Sequence, residues 1–344
     1  MKIRAANILL LLISVILTLA LLESIVRIFH LVPESEEIST EGLVFSTNPR
    51  LRYTMKPNGR WTHHGTVINI NEDGFRGKPI NPADRNDNVI RILAIGDSIT
   101  LGLYLEDEGT YCHQLEALLN KQHLFGKRWE VINFGVNGYN TINEVELLKV
   151  RGLNYKPDLV LLQYCFNDHN NKSELNMRLA RTLADNHKLI YLMLNPSLKI
   201  LRKSKLFLFC ALRLKTVQVN LKDVARLGSE YIYRGDYVSR GFSELSELSR
   251  QNDFLTMVLI FPRFERNHRR FSNYQSEYFQ IEELCKKNRM PYLNLLSYFI
   301  LNHDGENTYP DFHIDSCHPS AYGNKAVAEA IAEKIETFGP GLFK

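Results

Sequence analysis

The sequence predicts a three-layer α/β/α fold, built on a doubly wound and mainly parallel five-stranded sheet. Three observations carry this expectation. Short apolar runs of strand length alternate with segments of helical period from residue 90 to the C-terminus. Those runs lack the apolar–polar alternation of a half-exposed strand, as strands covered on both faces do. The loops that follow them hold polar residues with chemistry to offer, and such folds place their sites beyond the carboxyl ends of the strands.

Taken in order, residues 91–96 (RILAIG) read as the first strand, and helical spacing follows through Tyr111, Leu115, Leu118 and Leu119. Residues 130–134 (EVINF) are the second strand, followed by a helix near 141–153. Residues 158–163 (DLVLLQ), introduced by Pro157, are the third. Residues 255–261 (LTMVLIF) and 292–295 are the fourth and fifth, separated by a helix at 275–287. A last helix covers 320–337, with Ala326, Ala330, Ile331 and Ile335 on one stripe. About ninety residues lie between the third and fourth strands, far more than a βαβ crossover needs, so a helical insertion is expected at 170–250. Within it, residues 198–219 mix Leu and Phe with Lys199, Arg202, Lys203, Lys205, Arg213 and Lys215. A basic amphipathic helix of this kind suits an anionic membrane surface, although a solvated face is its default reading.

Ahead of this domain, residues 5–22 are apolar, Ser or Thr apart from Asn7, a length that crosses ~30 Å of hydrocarbon as a helix. Lys2 and Arg4 precede the run, and Glu34, Glu36 and Glu37 follow it. The positive-inside bias therefore predicts a single-pass anchor at residues 1–30, with a cytoplasmic N-terminus and the body periplasmic or at the cell surface. A cleaved signal peptide is the rival, but the run is long and Thr-Leu-Ala at 18–20 is a poor cleavage site. Residues 31–89, rich in Pro, Asn, Gly and charge, read as an extension packing on the main domain at 90–338, with 66–70 a short strand.

Composition narrows the classes. A chain of 344 residues that is 44% hydrophobic is not disordered, and a net charge of +4 gives no footing for nucleic acid. Five scattered cysteines without a C-x-x-C exclude a disulfide scaffold.

The strand-following loops then supply four signals. After the first strand stands Gly96-Asp97-Ser98, whose Ser at a strand-to-helix turn is either a nucleophile or a helix N-cap. After the second comes Asn133-Phe134-Gly135-Val136-Asn137-Gly138, where backbone N–H groups could meet an oxyanion. After the third comes Phe166-Asn167-Asp168, with a side-chain amide to donate. Ahead of the last helix stands Asp315-Ser316-Cys317-His318, a carboxylate and an imidazole in one loop. His313, Asp315 and His318 also have zinc-ligand chemistry, a lesser use of the same groups.

Together and in this order, the four blocks resemble those of the SGNH (GDSL-type) hydrolase superfamily across residues 90–338. The lead-in at 71–77 (NEDGFRG) looks like that of membrane-anchored bacterial members. The resemblance implies a flavodoxin-like fold and an esterase that needs no metal or organic cofactor. It makes Ser98 the nucleophile, His318 the general base and Asp315 its orienting carboxylate. The oxyanion hole it implies is the Ser98 and Gly138 N–H groups with the Asn167 side chain. Gly138 is preferred to Gly135 because the family's glycine sits late in that turn. Asp97, Phe166, Asp168 and Arg263 stand as candidate substrate contacts, and Phe166 is bulkier than the family's usual residue there. The expected partners are an acyl-ester substrate, on an envelope or exported polysaccharide, and the membrane. An O-acyltransferase using the same acyl-enzyme and a non-catalytic glycan-binding protein are the alternatives.

Overall fold

The computed structural model describes residues 2–28, 42–48, 50–51, 53–169, 204, 206, 210, 236–263, 275–302, 313–315 and 317–343. The chain divides into two compact units, one of Met1–Ser39 with Glu174–Ile232 and one of Thr40–Ser173 with Tyr233–Lys344.

In the first unit, helix α1 (Lys2–Ile28) runs unbroken through the apolar stretch. Near its end Glu23 accepts hydrogen bonds from the Ser204 hydroxyl and the Leu206 N–H. Among the described residues no helix is long and apolar enough to cross a membrane, so the structure adds a helix but no span to the anchoring expectation. The basic segment at 198–219 lies almost entirely outside the described residues.

The second unit opens with two antiparallel hairpins, β1 (Leu43–Phe45) with β2 (Tyr53–Met55) and β3 (Arg60–His63) with β4 (Thr66–Asn69). The turn between β3 and β4 has His64 at φ 47° and Gly65 at φ 87°, the paired positive values of a tight hairpin whose twist matches its strands. The main sheet follows: β5 (Val89–Gly96), β6 (Arg128–Gly135), β7 (Leu159–Tyr164), β8 (Leu255–Ile260) and β9 (Tyr292–Asn294), all parallel in the order β6-β5-β7-β8-β9. Every residue of β5 and β7 is buried, which is why their sequences show no period of two.

The remaining helices of this unit are α2 (Ser98–Leu101), α3 (Tyr111–Lys121), α4 (Thr141–Val150), α5 (Asp236–Asn252), α6 (Gln275–Lys287), α7 (Leu295–Asn302) and α8 (Ala321–Glu336). On one face, Ile90, Ile92 and Ala94 of β5 share a core with Leu115 and Leu119 of α3, Leu295 and Phe299 of α7 and Ile331 of α8. Each such fully buried Leu or Ile contributes ~1.5–3 kcal/mol. The alternate residues Leu93 and Ile95 point to the other face, where α4 and α5 pack. Val238, Phe242 and Leu245 of α5 are fully buried, so this helix belongs to the sheet's covering layer rather than to the insertion expected at 170–250. Residues 40–89 likewise fall in the same unit as the sheet. Helix α7 escaped the sequence reading because it follows β9 directly; Asn294, whose side chain accepts the Ser297 N–H, is the signal that marks its start. The chain passes from β5 to β6 on one side and then to β7 on the other, so the crevice beyond the ends of β5 and β7 is the topological switch point.

Candidate active site

Strand β5 ends at Gly96, where an added Cβ would lie 2.1 Å from Thr100 Oγ1 and 2.4 Å from Gln163 Oε1, so glycine alone lets the chain turn here. The next residue, Asp97, caps α2: its carboxylate accepts the Ile99 N–H at 2.8 Å. This decides between the two readings of Ser98. The cap is Asp97, and Ser98 is the first helical residue, its hydroxyl left to face His318, with Oγ 2.8 Å from Nε2.

The loop before α8 supplies the rest. His318 Nδ1 stands 2.7 Å from Asp315 Oδ2, while Asp315 Oδ1 accepts the backbone N–H groups of Cys317 and His318, both at 2.8 Å. The Ile314 N–H donates to the His318 carbonyl and closes the loop on itself, and Ser320 caps the helix that follows. The Tyr104 ring packs edge-on against the imidazole at 4.9 Å between centroids. Burial works to raise the Asp315 pKa, but the hydrogen bond and charge of His318, with the two backbone N–H groups, hold it well below the carboxylate range. Burial works to lower that of His318, and the hydrogen bond to Asp315, then the Cys317 contact, lift it above the usual histidine value. The pair therefore favours an imidazolium, the species that forms when His318 takes a proton from Ser98.

Gly138 has φ +76°, and neither its N–H nor that of Ser98 has an acceptor among the described residues. The Gly135 N–H is spent on Asn133 Oδ1 at 2.9 Å, and a Cβ there would lie 2.2 Å from Leu101 N. The two glycines thus serve different ends: Gly135 lets β6 pass close to α2, and Gly138 opens the turn. Asn167 lies on the turn Phe166–His169 beyond β7; its side chain is outside the described residues.

Two expected substrate contacts are corrected. Asp97 and Asp168 are each 1% exposed; the Asp97 carboxylate takes the Ile99 N–H and, at 3.7 Å, the Cys165 thiol, so neither acid is free to meet a substrate. Asp168 accepts the Cys165 N–H at 3.0 Å, a bond that closes the turn carrying Asn167. Phe166 is half-buried and packs edge-on against Tyr278, whose hydroxyl accepts the Arg263 N–H at 3.0 Å; Arg263 itself is exposed.

Several supporting residues escaped the sequence reading. Gln163 Oε1 accepts from the Asp97 N–H and the Thr100 hydroxyl, Thr100 meets the Tyr111 hydroxyl, and Asn324 of α8 accepts the Tyr111 N–H. This chain of polar groups links the loop of His318 to the turn of Ser98. Arg76 matters more. Its buried guanidinium donates to the carbonyls of Leu101 at 2.8 Å, Gly102 at 2.5 Å and Leu105, and pairs with Asp107 at 2.5 Å. The extension thereby satisfies the open carbonyl end of α2. Arg76→Met strips these carbonyls of their donor, and urea unfolding should show a loss of about 3 kcal/mol or more.

Glu144, 1% exposed, has no hydrogen-bond partner for either carboxylate oxygen among the described residues. Burial first, then the neighbouring Asp168 and Asp97 carboxyls, push its pKa up, so the folded chain holds this proton to higher pH than the unfolded one. The unfolded chain gives up that proton above about pH 4.3, so the native state is penalised as pH rises. Glu144→Gln keeps the shape without the titration. Its gain in Tm over wild type should grow between about pH 5 and pH 8.

A five-stranded parallel sheet of this order, flanked by helices, is the α/β architecture of SGNH-type hydrolases, and Ser98, His318 and Asp315 lie in line at its carboxyl edge. The chain matches the GDSL-like lipase/acylhydrolase family over residues 94–326, and it belongs to that family. It is thus an esterase of the SGNH/GDSL type. Among solved structures it is similar to a lipase/acylhydrolase from Enterococcus faecalis, at 16% identity over 72% of this chain and 96% of that one, with a TM-score of 0.43. It is also similar to an acetyl xylan esterase, at 15% identity over 72% and 100%, with a TM-score of 0.42. A GDSL-like lipase from Bacteroides thetaiotaomicron aligns at 17% identity over 74% and 94%, with a TM-score of 0.41. No curated protein matches the chain at a comparable level.

Proposed function

We propose that this protein is a serine esterase working through Ser98, His318 and Asp315. Ser98 Oγ attacks the acyl carbonyl as its proton passes to His318 Nε2, and Asp315 holds the imidazolium that results. The tetrahedral oxyanion rests on the N–H groups of Ser98 and Gly138 and on the Asn167 amide. The alcohol leaves with the proton from His318, and water then repeats the sequence on the acyl-enzyme. The observation that carries this reading is the continuous line from Ser98 Oγ through His318 to Asp315, at 2.8 and 2.7 Å, with the serine released from capping by Asp97.

The substrate we infer is a short-chain, O-acetyl-like ester on an envelope or exported polysaccharide, which follows from the expected location outside the cytosol and from the habit of the family. A fluorophosphonate probe should label the wild type and not Ser98→Ala, and labelling of the variant at an equal rate would remove Ser98 from the mechanism. With an acetyl donor and a glycan both present, free acetate alone supports hydrolysis; an acetylated glycan would make the enzyme a transferase. The same reading keeps α1 as an uncleaved anchor and the catalytic unit outside the cytosol, supported by the apolar stretch 5–22 behind Lys2 and Arg4. The protein should stay in the membrane fraction through an alkaline carbonate wash, and release into the wash would count against the anchor.

A further inference from the structure

We propose that the loop before α8 also binds zinc, through Asp315, Cys317 and His318, and that zinc switches the esterase off by occupying His318 Nδ1. The binding stands on the loop alone; the inhibition rests on the reading of His318 as general base. One ligand atom from each of the three residues lies within 4.8 Å of the others, and Cys317 Sγ is already 3.4 Å from His318 Nδ1. Zinc bonds of ~2.0–2.3 Å set tetrahedral ligands roughly 3.3–3.8 Å apart, so the triangle needs only a small adjustment to close on an ion. The three residues are partly exposed, Asp315 at 37% of its side chain, which leaves a way in and a water for the fourth position.

The donor set selects the ion. A thiolate, an imidazole and a carboxylate suit zinc, whereas magnesium and calcium seek oxygen alone. Cys317 takes no catalytic step beyond its contact with His318, and among the described residues the five cysteines form no disulfide.

The proton count explains the inhibition. In the working tautomer Nδ1–H donates to Asp315 and the Nε2 lone pair faces Ser98 Oγ. Zinc takes the Nδ1 lone pair, so the ring's single proton must sit on Nε2, where it blocks transfer from serine. The Cys317 thiol loses its proton to solvent, so with His318 neutral, as in the working enzyme, one proton is released per zinc bound.

The test uses the full chain, zinc against aryl acetate turnover, and cobalt(II) as a spectroscopic stand-in. Zinc should inhibit reversibly, with activity restored by a chelator, and Cys317→Ser should raise the inhibitory concentration about 10–100-fold. Cobalt should give a thiolate charge-transfer band in wild type and in Ser98→Ala but not in Cys317→Ser; Cys317→Ala repeats the comparison if the serine variant fails to fold. Equal zinc sensitivity of wild type and Cys317→Ser, or no thiolate band, overturns the site. A band with undiminished turnover keeps the metal site, overturns the switch and counts against His318 as the base.

Discussion

Replacing Ser98 by Ala should lower turnover of a short-chain aryl acetate by roughly 10³- to 10⁶-fold while leaving the unfolding transition within about 0.5 kcal/mol of wild type. The two halves of this expectation come from one local arrangement. The serine is 9% exposed and its hydroxyl meets His318, so the missing oxygen is missed by the chemistry. Helix α2 keeps its cap, because the Ile99 N–H is satisfied by Asp97. The contrary outcome is equally defined. If the hydroxyl were structural, the alanine variant would lose about 1 kcal/mol of stability and keep its activity. Steady-state kinetics beside a urea titration separates the two. The N–H of residue 98 survives the substitution, so some activity from the oxyanion donors should remain.

The parts of the molecule legible in sequence are those whose signal is local. Strands β5 and β7 stand out because burial on both faces leaves an unbroken apolar run, and α8 because Ala326, Ala330 and Ile331 share one stripe facing the core. Ser98, His318 and Asp315 were legible because each occupies a loop at a strand's carboxyl end or just before a helix. What the sequence could not give is direction. Asp97 and Asp168 read as substrate contacts, and nothing in their neighbours tells that both carboxylates are buried and take the N–H groups of Ile99 and Cys165. Arg76 illustrates distance: its partners stand 25 to 31 residues further on, in a segment with no pattern of its own. Glu144 sits on α4 among residues buried on every side of that helix, beside Asp168 and Asp97, and nothing local in the sequence marks its burial. Helix α5 (Asp236–Asn252) carried no recognisable link to the sheet, separated as it is from β7 by some seventy residues of sequence.

Asp315→Asn tests the electrostatic half of the mechanism, and its effect should be large: kcat lower by roughly 10³- to 10⁴-fold. Two losses combine. An amide can donate to Nδ1, which favours the tautomer with its proton on Nε2, so the lone pair facing Ser98 is gone from most molecules. The negative charge that supports the imidazolium is also gone. The second loss has a signature that a merely structural defect would not share. His318 must be neutral to act as base, so activity rises with pH as it deprotonates, and its raised pKa puts the acid limb of the wild-type profile above the ordinary histidine value of about 6.5. Removing the Asp315 carboxylate leaves burial as the dominant influence, which disfavours the charged ring and moves the inflection downward. The variant should therefore be slow at every pH yet reach its plateau at lower pH than wild type. The backbone N–H groups of Cys317 and His318, which donate to Asp315 Oδ1 in the wild type, can still donate to the amide oxygen of the substituted side chain. The loop therefore keeps its shape, and the comparison reads charge rather than collapse. An acid limb that does not move would show that Asp315 positions His318 without governing its charge, whatever the fall in kcat.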